Sequence, residues 1–389
     1  MAAMNGQRGN GARLLCLNAG SSSLKLALYA VDAAGETRLL GAAAQEIGRP
    51  DSGVRVDGSL RPMPLPDHRT ALETLLQALE LSPVDAVGHR LVHGGEHTQP
   101  ERLTPALRER LEALVPLAPL HIPPALSILD AAAKHLPGVP QVACFDTAFH
   151  RTLPEIARRL PLPGRYHERG VRRYGFHGLS YEYIVRRLGE RARGRLVVAH
   201  LGNGASLAAL RDGRSVDTTM GLTPTGGVMM ATRSGDLDPG VLLYLLREEK
   251  LEPDALEELL DARAGLLGVS GRSGDMAELL AASDPAARLA VALFCYQVRK
   301  AVGSLAAALG GLDRLVFTGG IGEHAAPVRA RVCEGLAHLG IALDAAANER
   351  GAERISAANS TCPVEVIPTD EDAMIARHVH ECLHRAGPG

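Results

Sequence analysis

The sequence of 389 residues contains no tryptophan, few aromatic residues (3% in all) and only six cysteines. The cysteines are scattered without Cys-x-x-Cys spacing, which argues against a zinc site or a disulfide scaffold and for buried thiols in a reducing compartment. No apolar run approaches the ~18 residues of a membrane-spanning helix. The first ten residues also lack the apolar middle of a signal peptide. These absences predict a cytoplasmic protein without a membrane partner.

An excess of charge of one sign is missing as well. Lys and Arg number 42 and Asp and Glu 44, a formal net charge of −2, so the chain lacks the basic character of a nucleic-acid-binding protein. Hydrophobic residues at 46% and charged residues at 22% are ordinary for a soluble globular protein. The length predicts roughly two to three domains. Only four of the basic residues are lysines, and one of them, Lys25, follows a serine-rich turn.

Short apolar runs alternate with stretches of helical spacing, which is typical of layered α/β folds. A pattern of strand, Asn/Gly/Ser turn and strand occurs over 14–31 and again over 195–210. We therefore expect two domains built on one plan. The proline-rich segment 154–164 is predicted to cross between them.

Residue patterns predict where other elements begin and end. Thr104 followed by Pro105 indicates the start of a helix, and apolar spacing predicts another helix over 70–81. The remaining predictions are strands over 86–93, 139–145 and 315–318, a turn over 319–323, a helix over 327–339, a capping box over 369–372 and a final helix over 373–385 that stops at Gly387.

The first turn, Asn18–Ser23, has the residue types of a phosphate site. A tight hairpin directs backbone N–H groups outward, Ser21 and Ser23 add hydroxyl donors, and Lys25 adds a positive charge. Asn18 offers a carbonyl oxygen to a hydrated Mg²⁺. The pattern is not a P-loop, because Gly-x-x-x-x-Gly-Lys-[Ser/Thr] is missing and a strand follows. An exposed serine-rich hairpin explains these residues equally well.

Two further turns allow more than one interpretation. His200–Gly204 is a second hairpin that would oppose the first across a cleft, although Asn-Gly is also the strongest signal of an ordinary hairpin turn. Gly320–Ala325 matches Gly-x-Gly-x-x-Ala between a predicted strand and helix, and Asp344 follows at about the distance of a dinucleotide-binding fingerprint. A nicotinamide-dependent dehydrogenase is therefore one hypothesis for the function.

Four polar clusters follow predicted strand ends, where open α/β folds bind ligands. They are H-R-L-V-H-G-G at 89–95, D-T-A-F-H at 146–150, Y-G-F-H-G at 174–178 and T-R-S-G-D-L-D-P-G at 232–240. His89 and His93 lie four residues apart, but the adjacent Gly-Gly and the lack of H-E-x-x-H argue against a metal pair. Each histidine or arginine alone is more often structural, and their repeated grouping favours a functional site.

Seven motifs in one order resemble those of the acetate kinase family, over about 14–380. They are N-A-G-S-S-S-L-K, G-H-R-L-V-H-G-G-E, F-D-T-A-F-H, R-R-Y-G-F-H-G, H-L-G-N-G, T-R-S-G-D-L-D-P-G and G-G-I-G-E. The resemblance implies an α/β fold of two ribonuclease-H-like domains, as in actin-like ATPases, with a nucleotide cleft between them. The domains would be 11–149 plus 373–389 and 150–372, the second one binding nucleotide and forming a homodimer.

The resemblance also implies roles for individual residues. Asn18 and Glu371 would contact Mg²⁺ or Mn²⁺, and the catalytic set would be Arg90, Asp146, His177 and Arg233. Arg90 would also bind the carboxylate of acetate, and the acyl pocket would be lined by Val92, Leu120, Phe176 and Pro224. ATP, the co-substrate, would contact the two hairpins and two adenosine segments, namely Ser21, Ser23, Lys25, His200, Leu201, Gly202, Asn203, Gly204, Asp275, Met276, Ala277, Gly320, Ile321, Gly322, Glu323 and His324.

The chain departs from the family pattern at four places. The usual H-N-P-P-N is H-I-P-P-A at 121–125, D-F-R is D-M-A at 275–277, and G-I-G-E-N ends in His324. The usual Y-G-F-H-G-T-S-H is here Y-G-F-H-G-L-S-Y, which places Tyr181 where the family has histidine. Two of these departures fall in the adenosine segments, so base preference follows least directly from the resemblance.

The sequence therefore predicts an enzyme that interconverts acetate and ATP with acetyl phosphate and ADP, as a cytoplasmic homodimer without nucleic-acid or membrane partners. A propionate or butyrate kinase of the same family is the alternative within this class. The alternatives from other classes are the dehydrogenase and an ATP-driven conformational protein without a catalytic role.

Overall fold

The computed structural model describes residues 11–20, 22–56, 58–79 and 83–385. The chain forms two compact units: the first ends at Ala148 and resumes at Asp370, and the second runs from Phe149 to Thr369. The proline-rich segment 154–164 lies inside the second unit, so its prediction as the crossing between domains is wrong. Two of its prolines, Pro154 and Pro163, instead precede short helices that begin at Glu155 and Gly164.

The elements of both units alternate along the chain as an α/β pattern predicts. In chain order, the strands are β1 (Ala12–Ala19), β2 (Leu24–Asp32), β3 (Gly35–Gln45), β4 (Gly53–Val56), β5 (Ser59–Pro62), β6 (Ala86–Leu91), β7 (Glu101–Arg102), β8 (Gln141–Phe145), β9 (Arg195–Leu201), β10 (Ala205–Arg211), β11 (Arg214–Thr218), β12 (Arg314–Thr318) and β13 (Val364–Val366). The helices are α1 (His68–Ala78), α2 (Pro105–Glu112), α3 (Ile122–His135), α4 (Glu155–Arg158), α5 (Gly164–Glu168), α6 (Gly178–Leu188), α7 (Pro239–Arg247), α8 (Pro253–Ala262), α9 (Gly265–Ser270), α10 (Met276–Ala281), α11 (Pro285–Leu309), α12 (Gly319–His324), α13 (Ala326–Cys333), α14 (Ala345–Glu349) and α15 (Glu371–Arg385).

The two sheets share one strand plan. The sheet of the first unit has the order β5-β4-β3-β2-β1-β6-β8-β7, and that of the second has the order β11-β10-β9-β12-β13. In each, three antiparallel strands (β3-β2-β1 or β11-β10-β9) are extended by two strands parallel to the third (β6-β8 or β12-β13). This repetition is what the two strand–turn–strand segments predicted.

The central strands carry the apolar runs expected of strands that are covered on both faces. Residues 14–19 of β1 and 196–201 of β9 are all buried. In the first unit, α15 packs against β1 and β6, and in the second unit α11 packs against β9 and β10. Because β1, β6 and β8 are parallel, as are β9, β12 and β13, their C-terminal ends lie at one edge of each sheet. Polar side chains of neighbouring strands come together at that edge.

Several helix ends confirm the sequence signals and others correct them. Thr104 caps α2 as predicted, with its side chain accepting from the N–H of Leu107. The segment predicted as a turn after β12 forms the short helix α12. The helix predicted over 327–339 is interrupted, since α13 ends at Cys333 and a 3-10 turn follows at 337–339. Gly335 in the gap disfavours continuation of the helix.

The final helix begins two residues earlier than predicted. Asp370 Oδ1 accepts from the N–H of Ala373 at 2.9 Å, so Asp370 is the cap, in place of Thr369 of the predicted capping box. The backbone N–H of Thr369 donates to Glu323 in the second unit. The predicted stop at Gly387 lies outside the described residues. The shift matters because it places Glu371 and Asp372 in the first turn of α15.

Among the described residues, α11 is the one helix long and apolar enough to cross a membrane by length and composition. The sequence analysis considered only runs of consecutive apolar residues and therefore did not identify α11 as such a helix. Its inner face is part of the core of the second unit, with Phe294 and Val298 fully buried. It packs against α9, α13 and β10, as the core helices of globular domains do.

Candidate active site

Arg90 is the centre of a polar cluster at the strand edge of the first unit. It lies near the end of β6, between Asn18 on β1 and Asp146 just after β8. Arg90 Nε and Nη2 donate to Asp146 Oδ2 at 2.9 and 2.6 Å, and Nη1 donates to Asn18 Oδ1 at 2.9 Å. Nη1 also lies 3.3 Å from Glu371 Oε2 at the start of α15. The structure thus brings together four of the residues predicted for catalysis and metal binding.

The Arg90 cluster is largely buried, and its charges lie close together. The side chains of Arg90, Asp146 and Glu371 are 15%, 0% and 13% exposed. Burial alone would lower the pKa of Arg90, but the charges of Asp146 and Glu371 outweigh it and raise that pKa above its ordinary value. The guanidinium is therefore a permanent cation whose orientation is fixed by two carboxylates.

The oxygen atoms around Arg90 match the chemistry of Mg²⁺. Asn18 and Glu371 supply an amide and a carboxylate oxygen, which are hard ligands of the kind that Mg²⁺ prefers. Among residues 11–20, 22–56, 58–79 and 83–385, no group of three or more His, Cys, Asp or Glu side chains forms a metal cage. A site of this type fits an ion that keeps several waters and substrate phosphate oxygens among its ligands.

The sequence analysis missed Asp370 and Asp372, the two acidic residues on either side of Glu371. Asn18 Nδ2 lies 3.2 Å from Glu371 Oε2 and 3.4 Å from Asp372 Oδ1. Burial raises the pKa of Asp372 to about 6, with Lys25 acting in the opposite direction. Asp370, besides capping α15, accepts from the hydroxyl of buried Tyr29 at 2.9 Å. The run Asp-Glu-Asp was the available signal, but it was interpreted only as a helix cap.

The predicted phosphate hairpin of the first unit is only partly described. Ser21 lies outside the described residues. Ser23 closes the turn through its carbonyl oxygen, which accepts from the N–H of Gly20 at 2.8 Å. Lys25 is exposed on β2 and is paired with Asn18 in the strand register. The lysine is therefore at the same end of the sheet as the Arg90 cluster.

His177 is the centre of a second cluster, within the second unit. It has a left-handed backbone (φ 58°) immediately before α6. Its ring stacks on that of His200, with centroids 4.3 Å apart. A Cβ added at Gly204 would lie 3.1 Å from His177 Nε2 and 3.6 Å from Arg233 Nη1. His177 Nε2 and Arg233 Nη1 thus both lie close to the Gly204 backbone, and a side chain at this position would crowd the histidine ring.

The Arg233 side chain extends to Gly204 from the T-R-S-G-D segment. Its Nη1 donates to the carbonyl oxygen of Pro224 at 3.2 Å and contacts the sulfur of Met230. The structure therefore brings His177, His200, Gly204 and Arg233 together in one cluster, and Pro224 is next to it. The sequence analysis had identified His177, His200, Gly204 and Arg233 from three motifs, and Pro224 from the family resemblance alone.

The remaining predicted nucleotide residues lie around the second hairpin and α12. The N–H of Gly202 donates to the Gly204 carbonyl at 3.1 Å, and a Cβ at 202 would lie 4.0 Å from the N atom of Gly320. The hairpin, with Leu201 and Asn203, is thus adjacent to the start of α12, which contains Ile321, Gly322 and His324. The carboxylate of Glu323 accepts from the N–H groups of Gly319 and Thr369.

The second predicted adenosine segment is at the start of α10. Asp275 caps this helix by accepting from the N–H groups of Ala277 and Glu278. Met276 is buried, with 4% of its surface exposed. The Asp275 carboxylate is therefore engaged with the backbone, and the Met276 side chain is part of the core.

Predicted acyl-pocket residues occur in both units. Val92 and Leu120 belong to the first unit and are 8% and 41% exposed. Phe176 and Pro224 belong to the second unit, where Phe176 is 1% exposed and its carbonyl oxygen bonds to His150 at 3.0 Å. These contacts fix the backbone of Phe176 one residue before His177.

Two histidines of the polar motifs are structural. His89 bonds to Gln141 at 2.6 Å, and His150 bonds to Ser215 and to the Phe176 carbonyl. Burial lowers the pKa of His89 and of His150 to about 4 each, so both rings are neutral at physiological pH.

Other supporting residues were not identified from the sequence. Arg329 is 1% exposed and donates to the carbonyl oxygens of Gly322 and Glu323, so it holds the C-terminal end of α12. Ser206 and Tyr181 hold His177, since Ser206 Oγ lies 2.9 Å from His177 Nδ1 and 2.5 Å from the Tyr181 hydroxyl. The only signal was the H-G-L-S-Y departure, which marks Tyr181 without indicating its partner.

Comparisons with known proteins give one consistent result. A model of the Acetokinase family matches residues 13–377. An acetate kinase of Rhodopseudomonas palustris (strain ATCC BAA-98 / CGA009) is 51% identical over 386 residues, which cover 94% of this chain and 97% of that protein.

Solved structures agree in fold. The crystal structure of Porphyromonas gingivalis acetate kinase has a TM-score of 0.84 at 40% identity and covers 96% of this chain and 100% of that one. A propionate kinase from Francisella tularensis subsp. tularensis SCHU S4 has a TM-score of 0.88 at 35% identity, covering 94% and 98%. The predicted fold class, α/β with two domains of the actin-like ATPase type, is confirmed.

Proposed function

The chain belongs to the acetokinase family and is a kinase that phosphorylates acetate, and we propose that its Arg90 and His177 clusters carry out the transfer. The reaction moves the γ-phosphoryl group of ATP to a carboxylate oxygen and gives acetyl phosphate and ADP, reversibly. The observation that carries the assignment of the site is that His177 Nε2 and Arg233 Nη1 come together beside the Gly204 backbone. The dehydrogenase hypothesis is dropped because family membership accounts for Gly320–Ala325.

The chemistry suits these residue types. Acetate is ionised at neutral pH, so the nucleophile needs no general base. The enzyme must instead align two anions and offset their repulsion. Arg90 would bind the acetate carboxylate, while His177 and Arg233 would donate to the oxygens of the phosphoryl group in transit. Asp146, which bonds to Nε and Nη2 of Arg90, would set the orientation of that guanidinium.

We favour direct in-line transfer over a phosphorylated Glu371 intermediate. Glu371 Oε2 is 3.2 Å from the Asn18 amide and 3.3 Å from Arg90 Nη1. Both contacts stabilise the carboxylate as an anion and lower its nucleophilicity. Glu371 is better suited to hold an ion than to attack phosphorus.

We propose that Asn18 and Glu371 hold Mg²⁺, or Mn²⁺ in its place. The ion, when bound, neutralises charge on the ATP phosphates. ATP itself would be held by the two hairpins, with Ser21, Ser23 and Lys25 on the first and His200–Gly204 on the second. The adenosine would lie against Gly320–His324 and Asp275–Ala277.

Exposed apolar side chains of the second unit support a homodimer. Six of the large ones belong to two stretches of the chain and are 41% to 61% exposed, namely Leu237, Val241, Leu243, Tyr244, Leu289 and Tyr296. They lie just before or on α7 and on α11, and a second copy of the chain would cover them. We further propose a cytoplasmic location, because the described cysteines are free thiols and five of the six are buried.

Acetate is expected to be preferred over propionate. We propose that Val92, Leu120, Phe176 and Pro224 limit the size of the acyl group, and pockets discriminate one methylene by about 1–3 kcal/mol. We therefore expect kcat/KM to fall about tenfold to a few hundredfold from acetate to propionate. Val92→Ala should shift the preference towards propionate, mainly through KM. Initial rates with two-, three- and four-carbon acids test this, and a wild type that prefers propionate would place the substrate with the propionate kinases.

Selectivity for adenine is expected to be modest. Met276 is buried and Ala277 is small, where the family pattern has an aromatic residue and an arginine, so stacking and cation–π contributions of about 0.5–2 kcal/mol each are missing. Usable rates with GTP should result. Comparison of kcat/KM for ATP and GTP gives the answer, and a ratio above about 10³ would contradict this proposal, because it requires about 4 kcal/mol of base recognition.

Gly204→Ala should impair catalysis without unfolding the protein. The new Cβ would lie 3.1 Å from His177 Nε2, so the ring would have to move by a few tenths of an ångström. Since small misplacements in such sites cost up to about 10²-fold in rate, we expect kcat to fall about tenfold to a hundredfold. Gly303→Ala on α11 is the control, because a Cβ there meets no atom within 4 Å. An unchanged kcat in Gly204→Ala would show that Gly204 does not lie at the site of phosphoryl transfer.

Release of ADP tests the proposed function. With MgATP, we expect ADP to form rapidly only when acetate is added, and more slowly with propionate or butyrate. The same assay without any carboxylic acid measures ATP hydrolysis. An equal rate with and without acetate would indicate an ATP-driven conformational protein instead.

A further inference from the structure

We propose that Tyr181, acting through Ser206, holds His177 in the neutral tautomer that carries its proton on Nε2, so that this nitrogen donates to the transferring phosphoryl group. Tyr181 and Ser206 are positioning residues in this proposal, since neither is assigned a contact with substrate. The inference rests on the proposed function for its catalytic consequence, while the tautomer itself is a property of the protein alone.

The three side chains form a buried hydrogen-bonded chain. Ser206 Oγ lies 2.9 Å from His177 Nδ1 and 2.5 Å from the Tyr181 hydroxyl oxygen. Ser206 and Tyr181 are each 0% exposed, and His177 is 8% exposed. Tyr181 is on α6 and packs in the core cluster with Ile184 and Leu196. Ser206 on β10 is therefore the middle member of this hydrogen-bonded chain, with Tyr181 of α6 on one side and His177 on the other.

The proton positions follow from the donor capacity of each group. Ser206 has one hydroxyl proton and lies between two partners, so it donates to one and accepts from the other. A phenol is a stronger donor and a weaker acceptor than an aliphatic hydroxyl, because the ring draws electron density from its oxygen. Tyr181 therefore donates to Ser206, and Ser206 donates to His177 Nδ1. The Nδ1 atom is then an acceptor, and the ring proton is on Nε2.

The surroundings of His177 favour the same state. Its ring stacks on that of His200 with centroids 4.3 Å apart, and two imidazolium charges at that separation would repel each other. Arg233 Nη1 also lies close to Gly204, which His177 Nε2 abuts, and it adds a further positive charge nearby. A neutral ring with Nε2–H directs a donor, and no lone pair, towards the position of a phosphoryl oxygen.

The tautomer can be measured directly by ¹⁵N NMR of the full-length protein labelled at histidine nitrogens, at pH 8. The His177 signals are identified by their loss in His177→Asn. In the wild type we expect Nε2 to be protonated and Nδ1 to have the shift of an unprotonated acceptor. In Tyr181→Phe, Ser206 no longer receives a proton and is able to accept from Nδ1–H, so a second tautomer should appear.

Kinetics then connect the tautomer to the reaction. In this proposal, only molecules with the proton of His177 on Nε2 transfer the phosphoryl group. In Tyr181→Phe, kcat therefore falls in proportion to the fraction of molecules in that tautomer, about tenfold where one molecule in ten has it. KM for ATP should change by less than about twofold, since the hairpins are untouched. The double variant Tyr181→Phe/Ser206→Ala should be no slower than Ser206→Ala alone, because Tyr181 acts only through Ser206.

Tyr174→Phe is the matched control. It also removes a buried tyrosine hydroxyl of the second unit, one that donates to the carbonyl oxygen of Gly170 at 3.0 Å. We expect neither the His177 tautomer nor kcat to change in this variant. A thermal melt of all variants shows that they fold, and Tyr181→Phe keeps the ring that fills the core.

Each outcome has a distinct meaning. A wild-type His177 with its proton on Nδ1 overturns the proposal, and so does Tyr181→Phe with both tautomer and kcat unchanged. Additive losses in the double variant also overturn it, since Tyr181 would then act by another route. If the wild type shows the Nε2–H tautomer but forms no acetyl phosphate, the proposed function fails while the hydrogen-bonded chain stands.

Discussion

Replacement of Arg90 by alanine is expected to lower kcat by about 10³-fold or more, which is the effect of removing an arginine that neutralises charge in phosphoryl transfer. The same change should also destabilise the first unit. Asp146 is 0% exposed and accepts two bonds from Arg90, and breaking a buried ion pair from one side costs about 3–5 kcal/mol. ATP affinity should survive, because the phosphate hairpins and adenosine segments do not include Arg90.

A double variant separates the two effects. In Arg90→Ala/Asp146→Asn the buried uncompensated charge is removed, so the melting temperature should recover most of its loss. Activity should stay low, since the carboxylate of acetate still lacks its cation. Calorimetric titration with MgATP measures the affinity of each variant. Recovery of turnover together with stability would show that Arg90 has only a structural role.

Arg233→Ala is expected to reduce kcat by a similar factor of about 10³, but with a smaller loss of stability. Its Nη1 donates to the Pro224 carbonyl oxygen at 3.2 Å and contacts the Met230 sulfur, and both of these partners are neutral. The loss of those two contacts costs less than the loss of the buried ion pair between Arg90 and Asp146. Arg233→Lys should recover little activity, because a lysine lacks the planar fork that holds two oxygens at once.

The measurements for Arg233 are kcat, KM for acetate and the dissociation constant of MgATP. We expect the loss to appear in kcat, since the interaction strengthens as charge moves in the transition state. If Arg233→Ala loses ATP affinity and keeps its turnover at saturation, the residue binds the nucleotide ground state and its assigned role is wrong.

Local signals predicted the elements that carry the site. The Asn/Gly/Ser turns at Asn18 and Asn203 do join antiparallel strands, and Thr104 does cap α2. Errors arose where tertiary contacts decide the outcome. Gly319–His324 folds as a helix, with the carboxylate of Glu323 accepting from the N–H of Gly319. Asp370 in place of Thr369 caps α15, with an additional bond from Tyr29.

The site shows the same limit. Arg90, Asp146, His177 and Arg233 were found because each lies in a motif of its own. The partners that hold them are far away in the sequence: Asn18 is 72 positions from Arg90, Glu371 contacts Arg90 from α15, and Ser206 is 29 positions from His177. No local pattern contains such a pair. Only the register of the strands and the position of α15 bring them into contact.

The most direct measurement is the ratio of acetyl phosphate formed to ADP released. Acetyl phosphate is trapped with hydroxylamine as acetyl hydroxamate, and ADP is counted in the same reaction with MgATP and acetate. We predict one acetyl phosphate for each ADP in the wild type, and a parallel loss of both products in Arg90→Ala and Arg233→Ala. ADP released without acetyl phosphate would contradict the account, because the chain would then hydrolyse ATP without transferring its phosphoryl group to acetate.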